Sequence, residues 1–456
     1  MRKYTISLVL SVVALGGCGE EADPSFPNLQ CDDFPERASC VLVSSGDAQG
    51  LLDAVNALDN DTVVILGTGS YMLDNQVTIR ANQITITGQG MNDTVLDFGP
   101  ATAQINGIDA ISDGFVVQDL TVLDAPKDGI RVENSNGVTY RRIKATWTNE
   151  GDSTNGAYGI YPVRSQNVLV EESIAERSSD AGLYVGQCQH VIVRNNTVQG
   201  NVAGLEIENT QYADVYDNHA ENNTAGIVVF DLPGNPVVGR DVRLRDNTII
   251  NNNHPNFAPG GTVAIIPAGT GTFALASRRV EITGNTYMNN QTGDIAILSG
   301  LVVDSDPGVW EIPMAEVIGD ISDLGLPAGA TAGTIMNFRT ENIRIANNTH
   351  SGSGTAPDTT QQFGVLLAAA FGGEPSASIL YDTFGESMFD ATDPTMNSND
   401  NHICAGGNPN GTGFASLHVE EQLVAIGSPI LLVTAPFAPF DCDALNGGAV
   451  AEVVLP

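Results

Sequence analysis

Five times between Gly129 and Asn253 the chain returns to Gly-Ile or Gly-Leu. The copies are Asp128-Gly129-Ile130, Tyr158-Gly159-Ile160, Ala181-Gly182-Leu183, Ala203-Gly204-Leu205 and Ala225-Gly226-Ile227. The last three intervals are 23, 22 and 22 residues, and the first is 30, which places an inserted loop there. A period of roughly 20–25 residues without helical spacing is the mark of a stacked coil, in which each turn buries its apolar face only against its neighbours.

A second motif recurs within the same period. Val191-Ile192-Val193-Arg194-Asn195-Asn196-Thr197 is echoed at Val242–Thr248, Val280–Thr286 and Ile343–Thr349. Alternation sends Val191 and Val193 to one face and Ile192 to the other. The turn asparagines Asn196, Asn218, Asn247, Asn285 and Asn348 then stack about 4.8 Å apart, close enough for a structural amide ladder.

These motifs resemble the right-handed parallel β-helix repeat family over roughly 62–351. The resemblance implies an all-β fold, a right-handed parallel β-helix solenoid. The repeat is shared by polysaccharide lyases, hydrolases and epimerases, and by proteins that catalyse nothing. At the coil's entry Ala48, Leu51, Leu52, Val55 and Leu58 have helical spacing, with Asp47 as N-cap, so an N-terminal helical cap is expected. After Ser351 the rhythm fades. The apolar runs 363–371 and 423–433 are of strand length, separated by Gly/Pro/Asn/Asp-rich stretches, and predict late irregular rungs and a C-terminal cap. The expected organisation is a signal segment at 1–17, a tether at 18–46, the coil at 47–350 and the irregular cover at 351–456.

Arg2 and Lys3 precede an apolar run from Ile6 to Leu15, too short to span a membrane. Leu15-Gly16-Gly17-Cys18 resembles the bacterial lipobox, which implies cleavage before Cys18 and its lipidation. With the tail motifs His402-Ile403-Cys404 and Phe440-Asp441-Cys442, the whole chain is similar to secreted bacterial lipoproteins with tandem β-helix repeats, a group without a settled activity. The expected address is the cell envelope. An oxidising envelope permits disulfides. Pairing by position in the chain joins Cys31 to Cys40 and Cys404 to Cys442 and leaves Cys188 free. With 54 acidic and 19 basic residues the net charge is −35, which argues against nucleic acid and anionic lipid surfaces as partners.

Aligning the rungs on their Gly-Ile positions gives two outward columns: Arg131, Tyr161, Tyr184, Glu206, Val228 and Glu133, Val163, Gly186, Glu208, Phe230. Asp128, Asp180 and Asp231 lie near their turns. Aromatic faces pack on sugar rings, Arg pairs with a uronate, and carboxylates bind Ca2+ or move protons. Such a face is either a glycan groove or an ordinary solvated surface. The ligand-lining candidates are Arg131, Tyr161, Tyr184, Glu206, Glu133, Glu208, Asp128 and Asp180, with Trp147 in the inserted loop as one wall. No cofactor is required; Ca2+ is the candidate ion.

The catalytic motifs of related folds are incomplete. Mannuronan epimerases carry Tyr-Gly-x-Asp-Pro-His, whereas Tyr158-Gly159-Ile160-Tyr161-Pro162-Val163 lacks the Asp and the His. Arg142-Ile143-Lys144 resembles a polygalacturonase motif without its companions. The six histidines, His350 among them, fall in no acid–base constellation. Two functions follow: a non-catalytic envelope scaffold binding a polysaccharide or another envelope protein, or a polysaccharide lyase or epimerase acting on an acidic glycan.

Overall fold

The computed structural model describes residues 24–322, 333–386, 399–409, 411–417, 431–434 and 440–456. The signal segment and Cys18 lie outside them, as does most of the 423–433 run. Each full turn of the coil has three strands, for example Ala181–Gly186, Gln189–Arg194 and Thr197–Gln199, before the next turn begins at Ala203–Glu208. The first strands of the turns pair in parallel into one sheet, from Val77–Ile79 up to Gly413–Ser416. The second and third strands form two further ladders. Where Asn136–Thr146 runs through both, these are joined into one sheet.

The core is the inside of the coil. Ile130, Ile160, Leu183, Leu205 and Ile227 follow one another up the stack, faced by Val168, Val191, Ala213 and Val242. The recurrent glycine has a steric cause. A Cβ at Gly159 would stand 2.6 Å from the carbonyl oxygen of Gly182, and one at Gly204 would stand 2.6 Å from that of Gly226. No side chain fits the corner where the first strand leaves the preceding turn.

The turn asparagines bond one to the next. The Asn196 amide nitrogen Nδ2 donates to Asn218 Oδ1 at 3.0 Å, Asn218 to Asn247 at 3.0 Å, Asn247 to Asn285 at 3.0 Å and Asn285 to Asn348 at 3.1 Å. The residue before each asparagine is left-handed (Asn195, Asp217, Asp246, Gly284 and Asn347), which selects Asn, Asp or Gly there. A second ladder, Asn201, Asn223, Asn252 and Asn290, runs along the next corner. At the remaining corner Ser135, Ser165, Cys188 and Thr210 accept backbone N–H groups in succession, so the buried Cys188 thiol occupies a hydroxyl's place.

Two expectations are corrected and one is met. The stack starts at Ser39–Val43, which pairs with Thr62–Leu66, so part of the presumed tether is already coil. Parallel pairing continues past 350 through Ile379–Asp382 to Gly413–Ser416, as the late irregular rungs expected there. The run 363–371 is not a strand but the helix Gln362–Phe371, ended by left-handed Gly372; its Leu and Ala content favours helix over sheet. The helix Ala48–Asn56 forms where expected, Asp47 accepting from the Gly50 N–H at 2.8 Å, and packs against Ser39–Val43 and Val77–Ile79. Disulfides join Cys31 to Cys40 and Cys404 to Cys442.

Candidate ligand face

The first outward column is continuous in register: Asp109, Arg131, Tyr161, Tyr184, Glu206 and Val228 are successive partners in one sheet. Tyr161 and Tyr184 occupy the same position of adjacent strands, since Ile160 pairs with Leu183. The four residues Arg131, Tyr161, Tyr184 and Glu206 therefore do share one face, directed away from the core.

That face is only partly open. From Tyr184 onward a second apolar layer lies over it, contributed by Phe257, Val263, Ile266, Leu301, Trp310, Phe338 and the helix Gln362–Phe371. Tyr184 is 4% exposed and Glu206 2%, while Glu208 and Asp128 are also buried. These four do not line a solvent groove. The column itself carried the signal: beyond Glu206 it reads Val228, Phe273, Ala296 and Leu380, an apolar stripe that needs a cover. Trp147 is no wall either. Its indole is buried and donates to the Ala125 carbonyl at 2.8 Å, closing the inserted loop onto the coil.

Where the cover ends, the exposed part of the face begins. Tyr158, Tyr161 and Tyr184 form a trio with ring centroids 4.6, 4.7 and 4.9 Å apart, Tyr158 and Tyr161 half-buried at its edge. Tyr158, in the position before the repeated glycine, was not among the expected residues. Its hydroxyl donates to Asp180 Oδ2 at 3.3 Å. The Tyr184 ring lies over Gly186, where a Cβ would strike it, and its hydroxyl bonds Glu208.

Arg131 lies 5.9 Å from the Tyr161 ring centroid and is held by Asp109 and Glu133. A polar chain continues on both sides. Arg80 bonds Asp109 at 2.7 Å, and Arg164 reaches Glu133 at 3.3 Å and Gln187 at 3.1 Å. Gln187 bonds Asn235, which donates to Glu208 at 2.9 Å. Arg131 is thus already paired with two carboxylates and is not a free partner for a uronate.

The acids beneath the tyrosines are poorly solvated. Burial raises Asp128 to about 6, and burial raises Asp180 and Glu208 to about 7. Glu206 is pushed well above the usual carboxylate range by burial and by the neighbouring Asp180 and Glu208, and its Oε2 has no hydrogen-bond partner among the described residues. No three of these carboxylates come within 4.8 Å of one another among the described residues. Among the described residues the one set of three ligand-type groups within 4.8 Å is His402, Cys404 and Cys442, and its sulfurs are joined in a disulfide.

A family model described as a right-handed β-helix region matches residues 104–286. Among solved structures, the A-module of the Azotobacter vinelandii mannuronan C-5 epimerase AlgE4 is 15% identical, with a TM-score of 0.47 over 77% of this chain and 90% of its own. The periplasmic alginate epimerase AlgG is 12% identical, with a TM-score of 0.41 over 69% of this chain and 66% of its own. Pectate lyase Pel9A is 14% identical, with a TM-score of 0.35 over 51% and 72%. Likenesses of this size say nothing of activity. No curated protein matches the sequence.

Proposed function

The chain is a right-handed parallel β-helix protein, and from that premise we propose that it is a non-catalytic, envelope-tethered coil that binds a glycan on Tyr158 and Tyr161. The observation that carries the reading is the aromatic trio at the edge of the covered face. Two half-exposed rings, backed by a third that is buried, form a rigid apolar shelf beside a hydrogen-bonding polar chain, which suits a sugar ring and its hydroxyls. Lipidation of Cys18 would hold the coil at the membrane, since Leu15-Gly16-Gly17-Cys18 resembles a lipobox. The groups best suited to proton transfer, Glu206 and Glu208, are buried under the shelf, away from a ligand lying on it.

Screening the mature protein against neutral and uronate glycans by saturation-transfer NMR tests the reading. Binding that Tyr161→Ala weakens about tenfold, a loss of about 1.4 kcal/mol, supports it; binding that ignores the substitution removes it. Loss of membrane attachment and of alkyne-palmitate labelling in Cys18→Ser tests the tether.

The alternative, a lyase or epimerase on an acidic glycan, has one observation in its favour: Tyr158 is hydrogen-bonded to Asp180, whose carboxyl is raised to about 7 and only half-buried. The arginines that would hold a uronate are already paired with acids, which weighs against it. New unsaturated or epimerised sugar signals in the same screen would select this alternative.

A further inference from the structure

At the far end of the coil two core columns turn polar at the same level. The inward column of the third strands reads Val198, Ala220, Ile249 and Tyr287, then His350. The glycine column reads Gly204, Gly226 and Gly271, then Asp294 in the strand Gly293–Leu298, since Thr272 pairs with Ile295. The two newcomers meet: His350 Nδ1 lies 2.9 Å from Asp294 Oδ2. Asp294 Oδ1 accepts from Asn290 Nδ2 at 3.1 Å, and the His350 ring stacks on Tyr287 with planes 6° apart. Asp294 is 1% exposed and the His350 side chain 9%.

A carboxylate only accepts, so the Asp294 contact places a ring hydrogen on Nδ1, and in the neutral ring Nε2 is then an acceptor. That Nε2 is buried and has no hydrogen-bond partner among the described residues. Leaving a buried acceptor unmet costs about 1–3 kcal/mol, and His350 lines a cleft of about 110 Å3, several times the roughly 15 Å3 a single water needs. Ser351, Ser353, Ser376 and Ser378 line the same cleft. Ser353 Oγ accepts from Asn290 N at 3.1 Å and Ser376 Oγ donates to the Thr292 carbonyl at 2.9 Å, which fixes that wall.

We propose that this cleft is a second binding site, for a small neutral polyhydroxyl ligand such as one sugar residue, with a ligand hydroxyl donating to His350 Nε2. Among the described residues the lining contains serine hydroxyls and backbone but no Lys or Arg, so an anion finds no counter-charge in it, and Asp294 repels one. Ala377 is its one apolar side chain, which does not suit a lipid. The site does not rest on the tyrosine shelf, which lies on the outer face of another part of the coil.

The test is an NMR titration of the full mature chain, following the His350 ring, with glycerol, glucose, galactose and N-acetylglucosamine, and sodium glucuronate as the charged counterpart. The expected result is a saturable shift of the His350 signals with at least one neutral compound and none with glucuronate. His350→Gln, which keeps an acceptor, should retain the binding, and His350→Phe should weaken it about tenfold or more. Tyr161→Ala should leave the His350 shifts unchanged, so the two sites succeed or fail separately. His350 signals that ignore every neutral compound, or that answer to glucuronate alone, overturn the proposal; so does undiminished binding in His350→Phe. Should His350→Phe fail to fold, the wild-type titration decides.

Discussion

Tyr161 and Tyr184 stand one rung apart in the same outward column, edge to face with ring centroids 4.9 Å apart, yet one is half-buried and the other 4% exposed. The same residue type in the same register therefore has two roles. Tyr184→Ala removes a ring enclosed by both the sheet and its cover, and should cost about 3 kcal/mol or more. Tyr161→Ala should cost under about 1.5 kcal/mol while losing ligand. Chemical denaturation of both variants beside the glycan titration checks the split; equal stability losses would mean the cover does not close over Tyr184.

Stability should fall as pH rises from about 4 to about 7. Asp128, Asp180, Glu208 and Asp231 have folded values near 6 to 7, each raised chiefly by burial. A raised carboxyl means that the folded chain binds more protons than the unfolded one in this window, so unfolding becomes easier as those protons leave. Melting temperature should be higher at pH 5 than at pH 8. Below the ordinary carboxylate range the sign reverses, because Glu171 and Glu176, though raised by burial, are lowered overall by their bonds to Arg194, Arg141 and Lys144. Glu206→Gln, which removes an acid that burial holds well above its usual range, should flatten the slope above pH 5.

The asparagine ladder supplies a larger effect. Asn247 Oδ1 accepts from Asn218, and its Nδ2 donates to the Val215 carbonyl at 3.0 Å and to Asn285 at 3.0 Å, all buried. Asn247→Ala orphans groups on both neighbouring turns, each costing about 1–3 kcal/mol. A total loss of about 3 kcal/mol is expected by urea unfolding, and a loss below 1 kcal/mol would show that the turns relax without the ladder.

The coil was legible because its constraints are local and repeated. Gly159, Gly182 and Gly204 mark one tight corner, and Asn196 and Asn218 mark another, so period and facing could be read by alignment alone. The Ser/Cys/Thr ladder was harder, since three residue types share one role and Cys188 hides a hydroxyl position. The face was half legible: alternation gave its direction, but the apolar layer clustered with Tyr184 draws on the loop around Phe257 and on Trp310 and Leu367, far along the chain and outside the repeat. His350 shows no acid–base constellation in the sequence because its partner, Asp294, is 56 residues away and the two meet only by the stacking of turns.

Cys188 should be chemically silent in the folded protein. It is fully buried, and burial pushes its thiol up to about 12, so almost no thiolate exists at neutral pH to attack a reagent. Its sulfur accepts from the Ser165 N–H at 3.4 Å, as Ser135 and Thr210 accept at the equivalent positions of other turns. A serine there would meet the same backbone group, so Cys188→Ser should change stability by less than about 1 kcal/mol, the loss of sulfur packing being offset by a better acceptor. Cys188→Val fills similar volume but leaves Ser165 N–H unmet, and should cost about 1–3 kcal/mol. Thiol labelling with and without denaturant, with melting curves for both variants, checks this; rapid labelling of the native protein, or a valine variant as stable as the serine one, would show that packing rather than the ladder sets this position.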